Sequence, residues 1–425
     1  MVEKLSFVTK MVCSKCGKVY DPKEGKVMCD HRDLGRLDIF YDYERVKESL
    51  SKQSLAKRSR DTWRWRELMP SHEKYAVRLG EGGTPLIRAT RLAEKYGLKE
   101  LYIKDETRNP TGSFKDRSMS ASVAKAVELG VKVDTTASSG NAAAALAAFS
   151  AKAGIKTVAF VLSTVSASKV AQLKLYGASV IKVRGIEKGE DPTVKMMLAS
   201  VEEMNWYPSP SFGPFNPYQV EGPKAISFEL AEQFEWKPYD WTIVPTGSSC
   251  LLAGVWKGAR DLKEVGLVNY YPKLVPVQPA GNSALVRAIK SGTPFERIEA
   301  ERHPQTIAAG LEDPYPWDGD SALEGVKKTG GTGEVATDEE IAQAVKDLAK
   351  YEGIFAEPSG AAGLGAIGRM VSDHVIDKTD RVVILVTGSG FKDLAFAQAQ
   401  YTEPPEIDAD IVQLKRALKS EGVNS

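Results

Sequence analysis

The chain has 425 residues, with 57 lysines and arginines against 56 aspartates and glutamates and a formal net charge of +1. That length exceeds what one hydrophobic core usually supports and predicts two domains plus a terminal extension. The even charge balance argues against nucleic acid or an anionic membrane as partner and leaves a small molecule as the expected ligand.

In chain order, residues 1–75 read as an extension and arm. Four cysteines in so long a chain exclude a disulfide framework, and three of them crowd into its start. Cys13 and Cys16, with Cys29 and His31 behind them, predict a structural zinc knuckle. A second CxxC is lacking and His31 lies only two positions beyond Cys29, so a bare knuckle stays open as the alternative. Charged residues interrupt the N-terminal segment, which argues against a secretory signal and predicts a cytoplasmic protein. A charged stretch follows, Tyr43 to Pro70, expected to be helical with a solvated face and with Trp63 and Trp65 packed against a body.

From about residue 97, β-branched runs alternate with alanine-rich helical stretches. The strand candidates are LYIKDE, TVAFVL, SVIKV, WTIVPTG, KLVPVQ and RVVILVTGSG. This alternation predicts an α/β protein with mainly parallel, doubly wound sheets and functional loops after the carboxyl ends of the strands. The alanine-rich run Ala142–Phe149 is too short to cross a bilayer and reads as a buried helix. The tail beyond about residue 403 is acidic and proline-containing, then helical.

Four loops carry chemistry. Asn109–Arg117 (NPTGSFKDR) leaves a strand and enters a helix expected near Ser118, which puts Lys115 where its amine can be desolvated for Schiff-base exchange and proton transfer. Thr136–Asn141 opens the alanine-rich helix, and its backbone N–H groups suit a substrate carboxylate while the Asn141 amide suits a phenolic oxygen. Val244–Leu251 turns through Gly247, Ser248 and Ser249 into a helix, the geometry of a phosphate nest. Arg381–Gly390 ends a buried strand in Thr387, a neutral partner for a pyridine nitrogen. Taken singly, each is also an ordinary turn or cap. None of the four histidines forms an HExxH pair, so histidine-based zinc hydrolysis lacks support.

Together these loops resemble the threonine synthases, within the fold-type II enzymes that use pyridoxal 5'-phosphate (PLP). The resemblance also takes in GEGGTPL at 80–86, NPYQVEG at 216–222, TIAAGLEDPYPWDGDSAL at 306–323 and EPSGAAGLGAI at 357–367. It implies a larger cofactor-binding domain from 76–115 and 236–400, a smaller substrate-side domain from 116–235, a tail from 401–425 and a homodimer. By resemblance Lys115 is the Schiff-base lysine and general base. Asn141 contacts the ring hydroxyl, Gly247, Ser248, Ser249, Cys250 and Leu251 hold the cofactor phosphate, and Thr387 faces the pyridine nitrogen. Ser113, Ser138, Ser139 and Gly140 are implied on the amino-acid substrate.

The implied reaction converts O-phosphohomoserine and water to threonine and phosphate, and it requires no histidine. The sequence departs from the family where the substrate's phosphate is held. Ala142 stands where a hydroxyl residue is usual, Gly213-Pro214 where Asn-Ser is expected, and Gln219 in place of an arginine. Arg117 and Lys224 remain as expected anion ligands. Three readings therefore stay open: a divergent threonine synthase, a PLP enzyme of β-elimination or β-replacement acting on another amino acid (a serine or threonine dehydratase, or an O-phosphoserine-type synthase), and a non-catalytic PLP-binding protein.

Overall fold

The computed structural model describes residues 6–185 and 191–422. Its strands in chain order are β1 (Val8–Cys13), β2 (Val19–Tyr20), β3 (Leu37–Tyr41), β4 (Leu86–Arg88), β5 (Glu100–Asp105), β6 (Val133–Thr136), β7 (Lys156–Leu162), β8 (Ser179–Val183), β9 (Tyr207–Pro208), β10 (Trp241–Pro245), β11 (Lys273–Pro279), β12 (Glu334–Ala336) and β13 (Arg381–Val386). All six β-branched runs identified in the sequence form strands. The strands that sequence reading missed are the short ones, β2, β4, β9 and β12, and the more polar β1, β3 and β6, which lack a continuous apolar run.

Three sheets result. The larger has the order β12-β11-β10-β13-β5-β4 and is parallel except for β4, which pairs antiparallel with β5. The smaller, β8-β7-β6-β9, is parallel throughout. The third, β2-β1-β3, is antiparallel. Interior strands β10 and β13 are almost wholly buried because helices cover both faces of a parallel sheet, which is why they read as unbroken Val/Ile/Leu runs. Connections from β10 proceed outward through β11 to β12, whereas β13 lies on the other side of β10. The crevice between β10 and β13 is thus a switch point, where open α/β sheets bind ligands.

The chain up to Lys392 makes one compact unit, and Asp393–Ser425 makes a second. The second unit contains helices Leu394–Gln398 and Ile411–Ser420, each N-capped by an aspartate, Asp393 or Asp410. No helix among the described residues is long and apolar enough to cross a membrane.

The charged arm corrects an expectation. Its segments Tyr43–Ser49 and Lys52–Ala56 are helical, but Thr62–Leu68 is a kinked 3-10 turn whose Trp63 and Trp65 are buried, as are Arg64 and Glu67. Trp63 donates its indole N–H to Ser120 Oγ at 2.9 Å, and Trp65 packs against Phe228 with ring centroids 4.9 Å apart. The charges follow the indoles inward because each meets an opposite charge, Arg58 on Glu67 and Arg64 on Glu232.

Asp134 on β6 is fully buried, and burial pushes its carboxyl up to about 8. A carboxyl whose folded-state value is raised favours folding most below its unfolded value of about 3.9, and that contribution is lost as pH rises through about 8. Asp134→Asn removes this titration. Its melting-temperature advantage over the parent should grow between pH 4 and pH 8 and then level, as read by thermal unfolding across that range; an advantage that shrinks with pH would show the carboxylate to be satisfied.

Candidate active site

The four chemistry-bearing loops all leave the carboxyl ends of strands: 109–115 after β5, 138–141 after β6, 247–249 after β10 and 387–390 after β13. Main-chain hydrogen bonds splice two of them. Phe114 N–H donates to the Thr387 carbonyl at 3.0 Å, and Ser389 N–H donates to the Gly112 carbonyl at 2.8 Å. The helix begins at Lys115 itself (Lys115–Glu128), three residues earlier than expected, because Phe114 already has helical dihedrals. Lys115 is therefore held on the first turn of a buried helix. Its Nζ donates to Ser211 Oγ at 2.5 Å.

Ser211 was not apparent in the sequence, since nothing in PSPSFG marks it. It is buried with φ 73°, a left-handed conformation unusual for a residue with a Cβ. Gln219 supports that turn, its Oε1 accepting from Ser211 N–H at 2.7 Å and its Nε2 reaching Met119 Sδ at 3.3 Å. This explains the glutamine that replaces the family's arginine: its amide spans a donor and an acceptor inside the protein. Gly213 is likewise dictated by space. A Cβ there would lie 2.0 Å from Asp318 Oδ1 and 2.6 Å from Arg36 Cδ, and its N–H donates to Asp318 Oδ2 at 3.0 Å.

On the other side of the cleft, Asn141 begins helix Asn141–Ala153 and donates Nδ2–H to Glu357 Oε1 at 2.6 Å. Glu357 N–H donates to the Gly388 carbonyl at 3.0 Å, and a Cβ on Gly388 would meet Glu357 Oε1 at 2.0 Å. Asn141, Glu357, Gly388, Thr387 and the Lys115 loop thus form one continuous hydrogen-bonded corner. Glu357 opens the EPSGAAGLGAI motif, just before Pro358, the first residue of helix Pro358–Gly365, but nothing in the sequence assigned it a role of its own. Ser138, Ser139 and Gly140 are half-buried beside Asn141, Gly140 N–H donates to Ser138 Oγ at 3.2 Å, and the space beyond Gly140 is open.

The Gly247–Ser249 turn has unmet polar groups that fit a phosphate. Ser249 Oγ is buried with no hydrogen-bond partner, at the N-terminus of helix Cys250–Glu264, which no side chain caps. Ser249 has φ 76°, a left-handed conformation unusual for a residue with a Cβ, and the dipole of the helix that follows favours an anion at this end. Close approach requires Gly247, since a Cβ there would sit 3.1 Å from Leu311 Cα and 3.2 Å from the Gly310 carbonyl. Cys250 and Leu251 are buried beneath the turn, and burial pushes the Cys250 thiol up to about 12, so it is inert. Ser113 Oγ is also buried without a partner. Near Lys115, burial pushes Asp313 up to about 6 against the pull of the lysine charge.

Two expected anion ligands are corrected. Arg117 is fully buried and its guanidinium is consumed by Glu106 (Nε to Oε2, 2.7 Å), Glu229 (Nη1 to Oε1, 2.6 Å) and Thr84 (Nη2 to Oγ1, 3.0 Å). Lys104 shares Glu229 at 2.6 Å, and the two cations hold the Glu229 carboxyl well below its usual range despite its burial. Lys224 is equally buried, between Glu221 at 2.6 Å and Asp261 at 3.0 Å. Neither can face a substrate. A third correction concerns the knuckle: the side chain that joins Cys13, Cys16 and Cys29 is Asp33, while His31 is exposed and outside the cluster.

This fold and site define a class. The family described as pyridoxal-phosphate dependent enzyme matches residues 77–388, and the chain belongs to it. A structure of maize serine racemase shares the fold, with a TM-score of 0.61 and 24% identity over 80% of this chain and 92% of that one. Within the class, the chain belongs to the threonine synthase family: it is 39% identical to the threonine synthase of Methanocaldococcus jannaschii over 96% of this chain and 98% of that protein, and 38% identical to that of Methanosarcina acetivorans over 96% and 98%. It is a PLP-dependent lyase of that family, and the non-catalytic alternative falls away.

Breaking a buried ion pair on one side leaves an uncompensated charge. Arg117→Met should therefore lower unfolding free energy by about 3–5 kcal/mol in urea titrations. Unchanged stability with a raised KM for an anionic substrate would return Arg117 to the ligand role.

Proposed function

We propose that the chain converts O-phosphohomoserine and water to threonine and phosphate, with Lys115 as cofactor lysine and base. The observation that carries this is the Lys115 amine held by Ser211 beside an uncapped helix N-terminus with an orphaned serine hydroxyl. Ser248, Ser249 and the first amides of the Cys250 helix hold the cofactor phosphate, Asn141 takes the ring oxygen and Thr387 the ring nitrogen. Bound PLP supplies an electron-withdrawing ring that stabilises negative charge beside the substrate's amino group. The Lys115 amine takes the Cα proton and gives it up before taking one from Cβ. As the phosphate leaves Cγ, one proton goes to Cγ to complete the methyl group and one returns to Cα, while water adds its hydroxyl at Cβ and its remaining proton leaves with the phosphate. Ser211 positions that amine between transfers. Ser138, Ser139 and Gly140 at the positive end of helix Asn141–Ala153 take the substrate carboxylate, with Ser113 lining the same space.

Lys392 takes over the anion-binding part that Arg117 and Lys224 cannot play. It is half-buried against Gln172 Oε1 at 2.7 Å, beside Gly112, with Glu357 and Asp116 the nearby charges. A second reading has support from the same residues: Gly213, Gln219, Arg117 and Lys224 are all occupied in internal structure, which favours an unphosphorylated serine or threonine undergoing β-elimination. A homodimer in the cytoplasm accords with the family resemblance and is checked by light scattering and fractionation.

Supplied with O-phosphohomoserine, the protein should release phosphate and threonine in equal amounts, and formation of 2-oxo acid from serine or threonine in its place would establish the second reading. Lys115→Ala should lose the near-visible band of covalently held cofactor and at least about 10²-fold in turnover. Lys392→Met should raise KM for the phosphorylated substrate and spare the cofactor band; an unaltered KM would remove it from the site.

A further inference from the structure

We propose that Cys13, Cys16, Cys29 and Asp33 form a tetrahedral zinc site that fixes the loop delivering Arg36 to the catalytic body. The four ligand atoms all lie within 4.8 Å of one another. Zinc with Zn–S near 2.3 Å and Zn–O near 2.0 Å sets tetrahedral S···S separations of about 3.8 Å and S···O separations of about 3.5 Å. Here Cys16 Sγ and Cys29 Sγ are 3.6 Å apart, and Cys13 Sγ lies 3.5 Å from both Asp33 carboxylate oxygens. The three cysteines are free thiols. A soft three-thiolate set with one carboxylate suits a thiophilic divalent ion, and four protein ligands close the coordination sphere as in structural sites.

The surroundings are those of ligands held by an outer shell. Tyr20 O–H donates to Cys29 Sγ at 3.3 Å, and Gly35 N–H donates to Asp33 Oδ1 at 2.9 Å. Arg32 and Leu34, on either side of Asp33, both have positive φ, so the loop turns that carboxylate inward toward the sulfurs. A Cβ on Gly35 would come within 2.4 Å of Cys13 Sγ. His31 is on the exposed side of the same loop.

Arg36 follows directly, its carbonyl accepting from Ser14 N–H at 2.8 Å within the knuckle. Its guanidinium reaches Asp318 at 3.2 Å and Asp320 at 2.8 Å, and Asp38 takes its Nε at 2.8 Å. Asp318 in turn accepts from Gly213 N–H and donates its own N–H to the Ser248 carbonyl at 3.0 Å. The metal therefore holds one end of a relay that ends on the phosphate turn. This inference is independent of the substrate.

Protein produced in zinc-supplemented medium should contain about one zinc per chain by elemental analysis. Cobalt reconstitution should give thiolate charge-transfer absorption with the intense visible bands of a tetrahedral ion. Against a chromophoric chelator, His31→Ala should retain parental affinity, while Asp33→Ala, or Asp33→Asn if the first does not fold, should lose at least the roughly 10- to 100-fold that even outer-shell partners supply. Chelation should raise amide exchange across residues 13–36 and at Gly213. Absence of zinc and cobalt uptake, or a loss on His31→Ala with none at Asp33, would overturn the site. Unchanged exchange at Gly213 in metal-free protein would overturn the relay.

Discussion

The hydrogen bond from Phe114 N–H to the Thr387 carbonyl joins the end of β13 to the first turn of the helix that carries Lys115. With its companion from Ser389 to Gly112, it makes the lysine loop and the Thr387 loop a single piece of backbone. The role proposed for the Lys115 amine, exchanging bonds and protons, needs its nitrogen placed within tenths of an ångström, and a loop fastened only at its strand would not hold it so. Everything else at the site is referenced to that junction: Ser211 to the amine, Glu357 to Gly388, and Asn141 to Glu357.

Beneath the junction lies a layer of buried charge. Arg117, two residues after Lys115, is clamped by Glu106, just beyond β5, and by Glu229 from helix Ala225–Gln233, with Lys104 closing the group. Desolvating four charges is costly unless each finds its partner, so the network tolerates one geometry. That constraint seats the lysine helix against two distant segments. It also explains why a cation that looks like an anion ligand in sequence has no capacity left for one. Lys224, between Glu221 and Asp261, does the same for the adjoining helix.

The N-terminal sheet turns out to belong to the catalytic body. Gly213 is small because Arg36 and Asp318 fill the space its side chain would need, and Gln219 is an amide because Ser211 needs an acceptor. These two departures from the family pattern are thus explained by local packing, which bears on the substrate only by removing ligands.

By itself the sequence determined the α/β class, the six long apolar strands, the order of the four loops, and the lysine, asparagine, glycine–serine and threonine positions within them. Those features are local: a strand's apolar run, a helix-opening turn and a Gly/Ser nest are written in consecutive residues. Tertiary structure alone decided the rest. Which charges are spent on each other (Arg117, Lys224), which serine meets Lys115 (Ser211), which acid holds Asn141 (Glu357) and which fourth side chain meets the cysteines (Asp33) depend on segments as much as 216 residues apart. Partnership among polar groups is set by where the chain returns in space, and no periodicity along the sequence encodes it.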